Sequence, residues 1–529
     1  MSQITLFNGL FGPVRNLPVV TAPVRLGKLH RFSPSLPVGQ PVKRVVADKL
    51  LIFLVLLAVS LILDAFVRPR REASGWPWPR TLAGLWLHAL VVATSYGLFM
   101  AVCGNAPASA LLTLALVSLF TTVSNAKRAM LGEPLVFSDL ALIASVFRHP
   151  QFYMSALKPL QKVVIAIAAL AAPALLWWVF VAEPSAHLAG ATLAFCGSAS
   201  IWLSLRCPPW SRLASEPDAE ADLARHGLIA TLLLYRLRWR QTVDPAPMAA
   251  IGCAPASDEI VVVIQCESFA DPVDLFADPA LSLPGLATAR QNAWQWGDLL
   301  VGGFGAYTMR TEYGVLFGRS EDDLGFRRFD PFLTALGEAT FALPNRLAGW
   351  RSVFVHPHDM RFYNREAIML AGGFAELVGE DRFTSPRPGE GRYVTDAAMA
   401  DSITDIARTA SGPTLIYAVT IENHGPWEAD GADLKQSYLR LVRNSDAMLT
   451  TLLARLADMR RPATLVFFGD HRPSIPGLSV PGGARHTPYV MVRLDAQGRY
   501  LRGEGRRVDL TPAHLHHAIL DLLTTAPVG

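Results

Sequence analysis

The sequence predicts an α-helical transmembrane domain of about five helices followed by an α/β domain, and three observations carry that expectation. Apolar residues make up 51% of the 529 and charged residues only 17%, too oily a balance for a wholly water-soluble chain. The apolar excess lies almost entirely before residue 210. From about residue 255 the texture changes to short runs of Val, Ile, Leu and Phe alternating with helical segments, the pattern of an α/β sheet. Disorder and collagen-like repetition are excluded by the same composition. The formal charge of +4, from 48 Lys+Arg against 44 Asp+Glu, is spread without basic blocks, so no nucleic-acid partner is expected. Cys103, Cys196, Cys207, Cys253 and Cys266 form neither a disulfide framework nor a CxxC zinc site.

Taken in order, residues 1–48 read as an N-terminal tail rich in Arg, Lys and Pro, without the short apolar stretch and cleavage site of a secretory signal. Residues 49–210 read as the transmembrane domain. Its apolar runs, 50–67, 82–103, 108–124, 163–181 and 187–205, are each long enough to cross a hydrocarbon core of about 30 Å. They carry little charge beyond Asp64, whereas helices of a large soluble domain would show charged faces. Loop charge does not orient them: Lys43, Arg44 and Lys49 precede the first run, and Arg68, Arg70, Arg71 and Arg80 follow it. Residues 125–162 mix polar and apolar side chains and are expected to lie along the membrane interface.

Residues 211–254 read as a linker containing one helix, HGLIATLLLYRLRWRQ. Its Arg236, Arg238 and Arg240 suit anionic headgroups, and an ordinary packed connector fits the pattern equally. Residues 255–529 form the expected α/β domain. Strands are predicted at 259–265, 352–355, 414–420, 464–468 and 489–492, and helices near 332–347, 396–409, 445–460 and 512–523. Near-continuous apolar runs of this kind suit a parallel sheet covered on both faces.

Polar groups follow four of these strands: Cys266-Glu267-Ser268, His356-Pro357-His358, Glu422-Asn423-His424-Gly425 and Gly469-Asp470-His471-Arg472. Ligands bind at the carboxyl edge of an open α/β sheet. Asp470 and His471 bring a carboxylate oxygen and an imidazole nitrogen to one point, and Glu267 adds a third ligand. Such a set suits Zn²⁺, Mn²⁺ or Mg²⁺ without choosing among them. A loop cap beside a satisfied histidine is the bland alternative. The segment GGFGAYTMRTEYGVLFG, residues 302–318, is a Gly-rich loop entering a helix near Thr308. A hydroxyl there stands beside unpaired N–H groups and, next to a cation, becomes a nucleophile. Thr311 competes for that role, and N-capping is the ordinary job of either.

Together these residues resemble the alkaline phosphatase and sulfatase superfamily, most closely its lipoteichoic acid synthase and phosphoglycerol transferase branch. IQCES carries Glu267, TMRTE carries Thr308 at the nucleophile position, and the GDH triplet carries Asp470 and His471. HPHDMRFYNRE is similar to the family's His…aromatic-Asn-Arg stretch, and ENHGPW to its His-containing loop. The resemblance implies a sulfatase-like domain after five membrane helices and one divalent cation held by Glu267, Thr308, Asp470 and His471. Mn²⁺ is the expected ion, with Mg²⁺ or Zn²⁺ as alternatives. It also implies substrate contacts from His356, Tyr363, Arg365 and His424, with His486 able to reach a phosphate. Two departures stand out: the family segment often reads Thr-Ser-Asp-Ala-Glu, and Tyr363 replaces a tryptophan.

The activity so implied is transfer of phosphoglycerol from phosphatidylglycerol to a hydroxyl on a glucan, glycolipid or polyglycerol phosphate, through a phosphothreonine. The domain would face the periplasm from a bacterial inner membrane. Phosphoethanolamine transferases are similar in the His-Gly-Pro loop and in a His-x-Pro segment like His486-Thr487-Pro488, but their Thr-Ala-Leu-Ser-Val-Pro-Cys stretch is missing here. A phosphodiesterase-like hydrolase and a headgroup-binding membrane sensor complete the alternatives. Sulfate ester hydrolysis is disfavoured, because the nucleophile loop lacks the C/S-x-P-x-R segment. His514, His516 and His517 sit in DLTPAHLHHAILDLL, which reads as a helix capped by Thr511 with Pro512 in its first turn.

Overall fold

The computed structural model describes residues 42–69, 80–140, 159–251, 258–387, 391–427, 433–475 and 477–524. Arg70, Arg71, Cys253, the tail before residue 42 and residues 141–158 of the expected interfacial segment lie outside the described residues. All five apolar runs fall on helices: α1 (Val42–Ala65), α2 (Leu82–Cys103), α3 (Ala106–Leu131), α4 (Pro159–Val179) and α5 (Pro184–Arg206). Among the described residues, α2, α3 and α5 are long and apolar enough to cross a membrane.

Helices α2 and α5 approach closely through small residues. A methyl group at Gly97 would stand 2.6 Å from the Ala194 nitrogen, and one at Gly190 would stand 2.4 Å from the Ala101 nitrogen. Only glycine admits that backbone contact, a common solution where lipid offers no hydrophobic drive between helices. Asp64 is tolerated because Arg80 Nε donates to its Oδ2 at 2.8 Å, while the same guanidinium reaches the carbonyls of Leu223 and Ala224.

Beyond α3, Gly132 takes a left-handed φ of 78° and turns the chain into the loop 132–140. Val136 and Phe137 bury with Tyr235, Phe326 and Phe329, so the loop docks on the α/β half. Helix α6 (Leu228–Gln241) is the packed connector: Leu228, Leu234 and Tyr235 are buried, and Arg238 donates to the carbonyls of Leu213 and Ala214.

The α/β half is built on one eight-stranded sheet: β1 (Ile260–Cys266), β2 (Gln295–Leu299), β3 (Arg351–Val355), β4 (Glu376–Val378), β5 (Thr414–Val419), β6 (Ala463–Gly469), β7 (Thr487–Leu494) and β8 (Tyr500–Leu501). The order is β2-β7-β6-β1-β5-β3-β4, with β8 beside β7. Strands β6, β1, β5, β3 and β4 are parallel. Strand β7 runs antiparallel to β6, which corrects the all-parallel expectation. A parallel return needs a crossover, usually a helix, whereas the described residues between 470 and 486 form no helix before the chain returns from the carboxyl edge. Ile260, Val262 and Ile264 face one core and Val261 and Val263 the other. Helices Asp396–Thr409 and Leu434–Asp458 supply the first layer, α7 (Thr308–Phe317) and α8 (Pro512–Thr524) the second. The helix expected over 332–347 breaks into Pro331–Thr334, Leu336–Phe341 and Leu343–Arg346, as Gly337 and Pro344 would lead it to do.

Candidate active site

Adjacent parallel strands bring the chemistry to one edge. Cys266 pairs in register with Gly469, so Glu267 and Asp470, the next residue on each strand, leave the sheet side by side. Tyr307 holds a left-handed φ of 75° and opens α7, placing Thr308 in its first turn with its hydroxyl over that edge. Thr308 Oγ1 lies 3.5 Å from Glu267 Oε2 and 3.4 Å from His471 Nε2. His471 Nε2 lies 3.4 Å from Glu267 Oε1 and 3.6 Å from Asp470 Oδ2. All four side chains are buried.

These separations are long for hydrogen bonds and right for ligands of one ion: donors ~2.1 Å from a shared cation at tetrahedral angles stand about 3.4 Å apart. Asp470 and His471 are each aimed by a second contact. The backbone N–H groups of Ser268 and His471 both donate to Asp470 Oδ1 at 2.8 Å, while Asp470 Oδ2 is buried without a hydrogen-bond partner. The carbonyl of Arg472, 3.1 Å from His471 Nδ1, can only accept, so that nitrogen carries a proton and Nε2 is the ring nitrogen turned inward. An orphaned carboxylate oxygen, an inward imidazole and two further oxygens fit a divalent cation.

Electrostatics in the cluster follow from crowding of like charge. Burial, together with the neighbouring Glu267 carboxylate, raises the Asp470 carboxyl to about 7. Burial also opposes a charge on Glu267, but the hydrogen bond from His471 and the charges of His424 and His471 outweigh it and lower the carboxyl to about 2. His471 is raised to about 9, the two carboxylates overcoming its own desolvation.

The remaining predicted residues divide. Thr311 is turned away, its Oγ1 donating to the Asp470 carbonyl at 2.7 Å. His356 and Arg365 are together but buried. Val419's carbonyl takes the His356 Nδ1 proton at 2.9 Å, and Arg365 Nη1 donates to Nε2 at 3.2 Å. Burial and the Arg365 charge hold His356 well below the usual imidazole range. Arg365 is paired with Glu312, Nη2 to Oε2 at 2.8 Å, and its guanidinium lies 5.4 Å from the centre of the Tyr363 ring. Sequence reasoning missed Glu312, although it stands four residues after Thr308 and therefore on the same face of α7.

His424 is exposed at the mouth, with its ring 5.6 Å from that of Tyr393, itself 6.2 Å from His358. Tyr393 is a further rim residue that no motif singled out, and it stands with His358 of the His-Pro-His run. His486 lies in a network with Asp274 at 2.9 Å, Asp298 at 3.4 Å and Arg472 at 2.8 Å. His514 N–H donates to Thr511 Oγ1, the cap expected of α8. His516 is buried, and burial lowers its imidazole to about 3.

The sulfatase family model matches residues 259–524, just over half of the chain, and the chain belongs to this family. Among individual proteins it is similar to the capsular polysaccharide biosynthesis protein RkpI of Rhizobium meliloti (strain 1021), 28% identical over 88% of this chain and 93% of that one. A protein of the same organism named for cyclic beta-1,2-glucan modification is 26% identical over 45% of this chain and 38% of its own length. Of solved structures, the phosphoglycerol transferase GacH of Streptococcus pyogenes, in complex with sn-glycerol-1-phosphate, is 18% identical with a TM-score of 0.41, covering 50% of this chain and 74% of that one. The lipoteichoic acid synthase LtaP of Listeria monocytogenes is 14% identical with a TM-score of 0.38, covering 52% and 77%.

Proposed function

We propose that this chain is a membrane-bound, metal-dependent transferase that moves phosphoglycerol from phosphatidylglycerol to a hydroxyl on a glycan. The observation that carries the reading is the Thr308 hydroxyl, within 3.5 Å of Glu267 and His471 in the first turn of a helix and beside the unpaired Asp470 oxygen. Glu267, Thr308, Asp470 and His471 would hold a divalent cation, Mn²⁺ first among the candidates, whose charge lowers the hydroxyl pKa and offsets negative charge on the phosphoryl oxygens.

The Thr308 hydroxyl gives up its proton to water, and Oγ1 bonds to phosphorus as the bond to the diacylglycerol oxygen breaks, that oxygen taking a proton from His424. The acceptor hydroxyl then displaces the threonine oxygen, which leaves as the alkoxide that began the cycle, and gives its proton to the same histidine. His424 suits both halves: its Nδ1 faces the Gly425 carbonyl at 2.7 Å, leaving Nε2 at the mouth as the exchanging nitrogen. Arg365 and His356 support Thr308 through Glu312, and Tyr363 borders the headgroup. A glycan acceptor is supported by the relatives named for capsular polysaccharide and glucan. With three helices long and apolar enough to cross a membrane, the chain is confined with its lipid donor, which raises their effective concentration. The domain is assigned to the periplasmic side of a bacterial inner membrane.

The test is mass spectrometry of the full chain incubated with phosphatidylglycerol and Mn²⁺. A glycerophosphoryl adduct on the Thr308 peptide, absent in Thr308→Ala and retained in Thr311→Ala, is the expected result. An adduct that survives Thr308→Ala overturns the nucleophile. An ethanolamine phosphate adduct, formed only from phosphatidylethanolamine, overturns the headgroup, and acceptor-independent release of glycerol phosphate makes the chain a hydrolase.

A further inference from the structure

A cavity of about 490 Å³ lies between the membrane helix α3 and the nucleophile turn. That volume is in the range of ligand pockets. Leu119 and Val123 of α3 form one wall, Leu135 of the docked loop roofs it, and Tyr307, Met309 and Tyr363 form the opposite wall. Tyr307 and Met309 flank Thr308 in sequence.

The two ends of this cavity differ. Leu119 and Val123 are 59% and 42% exposed on a helix apolar enough to span a bilayer, so this end is continuous with the lipid-facing surface. Tyr307 and Met309 are buried against the catalytic half. From Leu119 to Leu131 at the end of α3, the helix runs about 18 Å.

Lys127, Asp139 and Asp330 on the lining are already engaged, and the Tyr307 hydroxyl is buried without a hydrogen-bond partner. Lys127 Nζ donates to Asp139 Oδ2 at 2.5 Å, and the same oxygen accepts the Val136 N–H at 2.7 Å. Asp330 accepts the Leu333 N–H at 3.1 Å. With these three engaged and the Tyr307 hydroxyl left free, a sugar would have to leave most of its hydroxyls unpaired here, at a cost of about 1–3 kcal/mol each. An apolar chain would not.

We infer that this cavity holds the acyl-glyceride end of a two-chain glycerophospholipid, laying its hydrocarbon along α3 and presenting its phosphate to Thr308. The assignment rests on the lipid-donor reading above. It makes α3 part of the donor site rather than an anchor alone, and it makes the shape of the lipid tail a determinant of donor choice.

Photo-crosslinking tests it on the full chain in phosphatidylcholine nanodiscs, using phosphatidylglycerol and phosphatidylethanolamine probes with a diazirine on one acyl chain. The expected result is label on Met309 or Tyr363 as well as on α3, since bulk lipid around the helices does not reach the first two. Val123→Trp, which fills the cavity from its lipid side, should lower that label by about tenfold, the effect of denying roughly two methylenes their contacts. Val123→Ala should keep it. Circular dichroism melts of Val123→Trp should overlay those of the parent, which shows that the variant is folded. Label confined to outward-facing α3 and α5, or undiminished in Val123→Trp, overturns the cavity assignment even if phosphatidylglycerol is turned over. Label at Met309 from the phosphatidylethanolamine probe alone sustains the cavity and overturns the phosphoglycerol reading instead.

Discussion

Replacing Glu133 with glutamine should loosen the nucleophile from a distance. Glu133 sits just beyond α3, and its carboxylate takes both guanidinium nitrogens of Arg310, Nη1 at 2.7 Å and Nη2 at 2.9 Å. The Arg310 side chain is 6% exposed and that of Glu133 19%. The same guanidinium lies 3.9 Å from the centre of the ring of Tyr307, the residue in left-handed conformation immediately before Thr308. Burial resists a charge on Glu133, but Arg310 overrides it and holds the carboxyl below its ordinary value. Glu133→Gln therefore strands a buried cation. Removing one partner of a buried pair costs about 3–5 kcal/mol, and water access to Glu133 argues for the lower end. At ~2–4 °C per kcal/mol for a domain of this size, Tm of the α/β half should fall by about 6–12 °C. A shift of ~1 Å at Thr308 would lower kcat by up to about 10²-fold. Circular dichroism melts and diacylglycerol release, measured on Glu133→Gln, Arg310→Met and the double variant, make the assay. The double variant should recover most of the Tm, because it buries no unpaired charge. A Glu133→Gln protein that melts within 2 °C of the parent at unchanged kcat, about the noise of a ~0.5 kcal/mol effect, would refute the coupling.

Other outcomes follow from the same geometry. Burial and the nearby Glu422 charge raise the Asp396 carboxyl to about 7, so the folded chain holds a proton there that the unfolded chain releases near pH 4. Stability should fall as pH rises from about 4 to 7, by up to ~4 kcal/mol, and level off above that window. Asp396→Asn should remove this slope in melts across that range, and an unchanged slope would exclude Asp396 as its source. Chelation should abolish adduct formation and lower Tm, with Mn²⁺ restoring both; Asp470→Asn should remain insensitive to Mn²⁺ in the melt. Thr311→Val should cost about 1 kcal/mol for the lost bond to the Asp470 carbonyl, read as a Tm change with the Thr308 adduct still formed.

The cores of β1, β5 and β6 were legible because runs such as IVVVIQ and TLVFF are apolar on both faces, which only a covered sheet accommodates. Glu267, Asp470 and His471 followed, since the residues after such strands must share an edge. The direction of β7 was not legible, because it depends on the path of a Gly- and Pro-rich loop rather than on the strand's own residues. Strand β2, QWGDL, lacks the branched residues that mark a strand and exists through pairing with β7. Arg365 illustrates a different limit. The family resemblance implies a headgroup contact for it, but its engagement by Glu312 and His356 depends on three separate segments meeting, which no local pattern records.

The docked loop 132–140 has a practical meaning for anyone preparing the α/β half by itself. A fragment beginning at residue 258 would leave Arg310 without its counter-ion and strip Val136 and Phe137 from Phe326 and Phe329. The resulting bare aromatic surface would favour self-association, so an excised domain should be poorly behaved unless the loop is supplied as a peptide or grafted back.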